Sequence, residues 1–304
     1  MHHGFFSFFV CPKRVLHLLV SPYKIGTDMY EKRVTAGKEF MNHMKKGLLA
    51  VSFGTSVNET REKTIDAIER ELAAACPDCQ LYRAWTSRMI IRKLKQRDQV
   101  QIDTVKEAFA RMLADGITEV MVQPTHVIKG IENEQMMEEI RSFSEHFEKI
   151  SVGEPLLSSE EDFRKVIEAV MEEQEDLEEQ EALVFMGHGT EHHVNPVYAA
   201  LDYMFKDLGY ENVHVGTVEA YPSFASVLRL VKASDVKKVR LAPFMVVAGD
   251  HAMNDMAGGE EDSWKSLLEA EGYEVTCVLK GLGEYKGIQK LYAEHARQAE
   301  LLEP

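Results

Sequence analysis

The sequence predicts an α/β protein of two similar Rossmann-like lobes, each a parallel sheet flanked by helices, with a cleft between them. Three observations predict it. From Lys45 onward, short β-rich runs alternate with longer amphipathic stretches, the pattern of a parallel sheet covered by helices. Residues 47–53 (GLLAVSF) and 182–186 (ALVFM) are almost continuously apolar, as strands buried on both faces require. The order of elements in the first half then repeats in the second.

In the first half, the strand at 47–53 turns at Gly54-Thr55-Ser56 into a helix over about 59–75. A strand at 81–85, a helix at 104–114 and a strand at 119–124 (EVMVQP) follow. The acid-rich run at 172–181 reads as a solvated helix face and linker. The second half restarts with the strand at 182–186, Gly187-His188-Gly189-Thr190 and a helix over about 196–208. A strand at 213–217, a helix at 223–232 and a strand at 239–243 (VRLAP) complete it. Gly54-Thr55 aligns with Gly189-Thr190 and Pro124 with Pro243; the second alignment puts Gly130 on Gly249 and Glu132 on His251. Duplication of one lobe accounts for this, and the expected division is an extension at 1–44, an N-terminal lobe at 45–178 and a C-terminal lobe at 179–304.

Composition narrows the function. With 45% hydrophobic and 28% charged residues in 304, the chain is expected to fold as a soluble globular protein. A net charge of −15 argues against a general nucleic-acid or anionic-membrane surface and favours cations. Four scattered cysteines suit a reducing, cytoplasmic setting; Cys76-Pro-Asp-Cys79 has redox or zinc-pair spacing but no second pair, so two small residues at a helix end are expected there. The apolar runs at 5–10 and 15–20 are interrupted by Lys13 and Arg14 and fall short of the ~20 residues of a membrane span. No charge precedes them as in a signal peptide, so an upstream start or a disordered arm is expected, with Met29, Met41 and Met44 as candidate starts.

Loops beyond the carboxyl ends of parallel strands line the ligand crevice. The first, Gly54-Thr55-Ser56, offers a tight turn and a helix N-terminus to an anion, although plain capping by Thr55 or Ser56 fits as well. It lacks the lysine of a P-loop and the spaced glycines of a dinucleotide fingerprint. In the second, His188 stands between Gly187 and Gly189, which are expected to leave backbone room for a bulky ligand. His192 and His193 suit capping or solvent. In the third, Asp250 or Asp255 is placed to orient His251 through its other ring nitrogen. Because Glu132 matches His251 in the duplication, two histidines and a carboxylate emerge as a metal set fit for Co²⁺, Ni²⁺, Fe²⁺ or Zn²⁺.

The segments VSFGTS (51–56), TSRMIIRKLKQRD (86–98), EPLLSS (154–159), FMGHG (185–189) and AGDHAMNDMAG (248–258) resemble the anaerobic sirohydrochlorin cobaltochelatases of cobalamin biosynthesis, within the class II chelatases. The resemblance runs from about Lys45 to near Ala299. It implies ATP-independent insertion of Co²⁺ into a tetrapyrrole, with His188, His251 and Glu132 as metal ligands and a neutral His188 as general base. It also implies partners for the ring's peripheral carboxylates, for which Arg83, Arg88, Arg92 and the Gly54-Thr55-Ser56 turn are the candidates. Rivals are a chelatase inserting Fe²⁺ into sirohydrochlorin or a porphyrin, and a non-catalytic haem or metal carrier. A two-lobed periplasmic binding protein would need an export signal. A homo-oligomer is compatible with all of these.

Overall fold

The structure, a computed structural model, describes residues 45–174 and 176–303; the expected extension and its candidate starts lie outside them. The first half contains β1 (Lys46–Ser52), α1 (Asn58–Lys63), α2 (Ile65–Ala75), β2 (Cys79–Trp85), α3 (Arg88–Asp98), α4 (Val105–Ala114), β3 (Glu119–Pro124), α5 (Ile131–Arg141), β4 (Lys149–Val152) and α6 (Glu160–Met171). The second contains β5 (Glu181–Gly187), α7 (Val197–Asp207), β6 (Val213–Thr217), α8 (Phe224–Ala233), β7 (Lys238–Pro243), a π-helical turn (Ala252–Met256), α9 (Trp264–Ala270), β8 (Glu274–Cys277), α10 (Lys286–Arg297) and β9 (Glu300–Leu301). Among the described residues no helix is long and apolar enough to cross a membrane.

Strand order states the duplication directly. The first sheet runs β2-β1-β3-β4-β9 and the second β6-β5-β7-β8, all parallel except β9, which pairs antiparallel with β4. In both sheets the chain reverses its winding at the first strand, between β1 and β3 and between β5 and β7. That switch point is where a crevice opens beyond the strand ends.

Residues on alternate faces of each central strand join different cores. Leu48 and Ala50 of β1 and Leu183 and Phe185 of β5 enter one continuous cluster with Ile68, Val166, Phe205, Ile288 and Tyr292. Leu49 and Val51 pack outward on Phe109 and Met136, and Val184 and Met186 pack outward on Val231 and Trp264. The two sheets therefore share a middle layer of helices, with further helices outside. Burying a side chain the size of Phe205 is worth ~1.5–3 kcal/mol, so this layer binds the halves to each other strongly.

Four expectations change here. The single helix expected over 59–75 breaks at Thr64, whose hydroxyl donates to the Thr60 carbonyl (2.5 Å) while Gly283 packs against its Cβ. Cys76 and Cys79 are joined in a disulfide across the turn from α2 to β2 instead of standing as two separate thiols. The acidic run is not a free face: Arg240 of β7 donates to Glu181 (3.0 Å) and Asp176 (2.7 Å), Lys238 to Glu178 (2.9 Å), and Lys280 pairs with Glu173. Finally, the end of the chain leaves the second lobe. Helix α10 packs on α2 and α6, and β9 completes the first sheet, so the lobe drawn at 179–304 loses its last helix and strand to its neighbour. The anchor is His295, whose Nδ1 faces the Glu154 carbonyl (3.0 Å) and whose Nε2 faces the Asp162 carboxylate (2.8 Å). The two contacts tie α10 to the start of the EPLLSS segment and to the first turn of α6.

Candidate functional site

Three neighbouring strands of the second sheet, β6, β5 and β7, each deliver one metal-binding side chain beyond their carboxyl ends. His188 follows β5, Glu219 follows β6 and His251 follows β7, and one ligand atom from each lies within 4.8 Å of the others. Backbone pairing extends past the strands to fix the first two: Val218 N–H donates to Gly187 O and Glu219 N–H to His188 O, both at 3.0 Å. The His188 and His251 rings meet edge to face with centroids 4.8 Å apart. His251 caps the π-helical turn, a form of helix frequent at functional sites.

The hydrogen bonds choose the tautomers. His188 Nδ1 lies 2.9 Å from the Gly189 carbonyl, and His251 Nδ1 lies 2.6 Å from the Asp255 carboxylate. Each acceptor requires a proton on Nδ1, which leaves both Nε2 lone pairs free for a cation. Of the two aspartates expected to orient His251, the structure uses Asp255. Glu219 Oε2 lies 3.7 Å from His188 Nδ1 and brings the anionic charge. All three side chains are between a third and just over half exposed, so an ion can reach them from the crevice.

Glu132 lies outside this group of three. It is exposed on the first turn of α5, in the other half, where its charge acts on the buried phenol of Tyr198. Burial pushes that phenol up to about 12, the Gly189 backbone hydrogen-bonds it, and its ring packs against Gly187. Glu132 thus stands beside the His188 loop without sharing the cluster. Glu219 was missed in the sequence, although the rule that selected His188 and His251 applies equally to the loop after β6.

The other expected residues distribute as follows. Arg83 is committed to α2, donating to Glu69 (2.7 Å) and pairing with Asp66, so it has little capacity left for a ligand. Arg88 is 76% exposed and borders a cavity of about 460 Å³ with Trp85, Thr86, Gln135 and Glu139, while Arg92 lies exposed one turn further along α3. Thr55 and Ser56 are buried: the Thr55 hydroxyl accepts from Val57 N–H (3.2 Å) and the Ser56 hydroxyl from Lys93 Nζ (3.1 Å). Gly54 takes a positive φ of 103° with the Trp85 indole where a Cβ would be. The expected ligand room beside His188 is filled by protein, since a Cβ on Gly187 would meet Tyr198 at 2.5 Å and one on Gly189 the Ala220 backbone at 2.9 Å. Phe53, Met89, Ile131, Tyr221 and Met253 are large apolar side chains left exposed, each on a segment that follows a strand. Such a surface suits a flat, largely apolar ligand.

The family model described as cobalt chelatase (CbiK) matches residues 46–300. A sirohydrochlorin cobaltochelatase of Salmonella typhimurium is 44% identical over 256 residues, covering 84% of this chain and 97% of that protein. Sirohydrochlorin cobaltochelatase CbiKC of Nitratidesulfovibrio vulgaris is 32% identical over 258 residues, covering 84% of this chain and 90% of its own. Among solved structures, SirB from Bacillus subtilis with Fe³⁺ superposes with a TM-score of 0.59 at 15% identity, covering 84% of this chain and 95% of that one. At that identity the likeness bears on the fold alone.

Proposed function

Since this chain belongs to the cobalt chelatase (CbiK) family, we propose that it inserts Co²⁺ into sirohydrochlorin, the reaction named for its two bacterial relatives, without ATP. The observation that carries the proposal is the pair of imidazoles whose Nδ1 protons are both engaged, leaving two Nε2 lone pairs in a cluster that also holds the Glu219 carboxylate. Neutral imidazole with carboxylate suits first-row divalent ions. The exposed apolar side chains on segments that follow strands suit the face of the macrocycle, and the exposed Arg88 and Arg92 supply guanidinium groups suited to peripheral carboxylates.

Insertion exchanges the cation for two pyrrole protons, so the site needs proton acceptors at the moment the metal leaves it. An imidazole Nε2 that releases the cation to the ring becomes a free base beside it. We assign first acceptance to His188 and the handling of the second proton, or the ion's approach, to Glu132 on the facing half. The sequence has no P-loop, and formation of metal–nitrogen bonds supplies the drive.

Purified protein mixed with sirohydrochlorin and Co²⁺, with no nucleotide, should convert the free-ring absorbance to that of the metallated ring. A parallel arm with Fe²⁺ tests metal choice. His188→Ala should lower turnover by at least about a hundredfold with the fold intact by circular dichroism, whereas unaltered turnover removes His188 from the mechanism. Glu219→Ala should lose Co²⁺ affinity in the absence of ring, and Glu132→Ala should keep that affinity while insertion slows. The reverse pattern would exchange their roles.

A further inference from the structure

One polar contact joins the site-bearing segment of one half directly to that of the other. His192, in the loop after β5, places Nε2 3.1 Å from Glu134 Oε1 on the first turn of α5. The imidazole is 10% exposed, although the carboxylate is largely in solvent. Its Nδ1 accepts the Val194 N–H at 3.2 Å. A ring nitrogen that accepts carries no proton, so the hydrogen is on Nε2 and is donated to Glu134 by a neutral ring. The contact thus forms without a charge on the histidine.

The loop that holds His192 is itself stiff. Thr190 Oγ1 accepts the His192 N–H (3.1 Å), Asn195 Oδ1 accepts the Thr190 N–H (3.0 Å), and Asn195 Nδ2 donates to the Tyr221 carbonyl (2.6 Å), two residues beyond Glu219. The position of His192 is therefore tied to both His188 and Glu219. On the far side, Glu134 is two residues from Glu132 on one helical turn, and Asn133 between them is buried facing His126.

We infer that His192 is a positioning residue: through Glu134 it sets the first turn of α5, and with it Glu132, over the His188–Glu219–His251 centre. The inference rests on the reading of the site as a Co²⁺ and tetrapyrrole centre. It explains why a buried imidazole four residues from the metal set turns away from the cation. A displacement of about 1 Å in a reacting group costs as much as a hundredfold in rate, and loss of a supporting hydrogen bond commonly costs ten- to a hundredfold.

The test compares wild type, His192→Ala, His192→Gln, Glu132→Ala and the double variant Glu132→Ala/His192→Ala by two measurements. One is Co²⁺ affinity without ring, from the visible spectrum of bound Co²⁺; the other is kcat for insertion into sirohydrochlorin. His192→Ala should bind Co²⁺ as wild type does, because its imidazole bonds to Val194 N–H and Glu134 and to none of the three ligands, yet insert it about tenfold more slowly or worse. His192→Gln, which keeps a side-chain N–H for Glu134, should recover most of the rate. In the Glu132→Ala background, His192→Ala should slow insertion no further, since a residue acting through another is not additive with it.

A wild type that binds Co²⁺ but inserts none overturns the chelatase reading itself. Where wild type is active, His192→Ala at full rate, additive slowing in the double variant, or joint loss of Co²⁺ affinity and turnover each overturns the positioning role.

Discussion

His188 lies between two glycines because protein, not ligand, occupies the space on both sides of it. Gly189 adopts a φ of 83°, and an added Cβ would press on the Ala220 amide, which is backbone and cannot rotate away. Left-handed conformation alone costs an alanine ~1–2 kcal/mol. Gly189→Ala should therefore reduce the unfolding free energy by about 2 kcal/mol or more in urea titrations. Because the same amide lies next to Glu219, Co²⁺ affinity should fall with it. A variant with wild-type stability and affinity would mean that the loop tolerates a side chain and that its packing is not tight. The sequence made these glycines conspicuous, and the duplication paired Gly189 with Gly54, which also takes a positive φ. What each one accommodates was not legible, since Tyr198 and Ala220 reach them only after the sheet has formed. Glu219 was hidden for a related reason: a glutamate two residues past a strand is common, and only the pairing of its backbone with His188 gives it a role.

Regular elements were legible where periodicity was strong. The buried runs of β1, β3, β5 and β7, and the glycine turns after β1 and β5, follow from apolar continuity and turn chemistry. The final segment was not, because β9 has two residues and no pattern, and α10 has the same amphipathic stripe whichever sheet it covers. Its destination has a large energetic consequence. Ile288, Leu291, Tyr292 and Ala296 all enter the core shared by the two sheets, and a domain retains only about 5–15 kcal/mol in total. A chain truncated after Tyr285 should fail to fold, read as loss of soluble material and of cooperative melting. A milder probe is Tyr292→Phe, which removes the hydroxyl donated to the buried Thr125 carbonyl at 2.9 Å. It should cost ~1–2 kcal/mol with Co²⁺ affinity unaltered. If the truncated chain melts cooperatively, the first sheet does not depend on its last strand and helix.

At the scale of the molecule, the shared middle layer makes one cooperative body of two repeated halves, so charge buried anywhere in it acts on the stability of the whole. Two of the three buried imidazoles outside the metal centre, among the described residues, carry this cost. Burial pushes His126 and His214 down to about 4, and neither ring nitrogen of His214 has a hydrogen-bond partner. In the unfolded chain both titrate near 6.5. Between those pH values the unfolded chain binds protons that the folded chain refuses, so stability is full above about pH 7 and declines as the pH falls from 6.5 towards 4. The loss should reach about 2 kcal/mol per histidine by pH 5. His214→Leu tests the cause. With no hydrogen bond to lose, the variant should be at least as stable as wild type at pH 7, because burying an unpartnered polar ring is the costlier arrangement. At pH 5 it should exceed wild type by a further ~2 kcal/mol in urea titration, having no proton to take up on unfolding. Equal pH dependence in the two proteins would show that His214 does not contribute to the acid limb, whereas a large loss at pH 7 would mean that its ring nitrogens are satisfied after all.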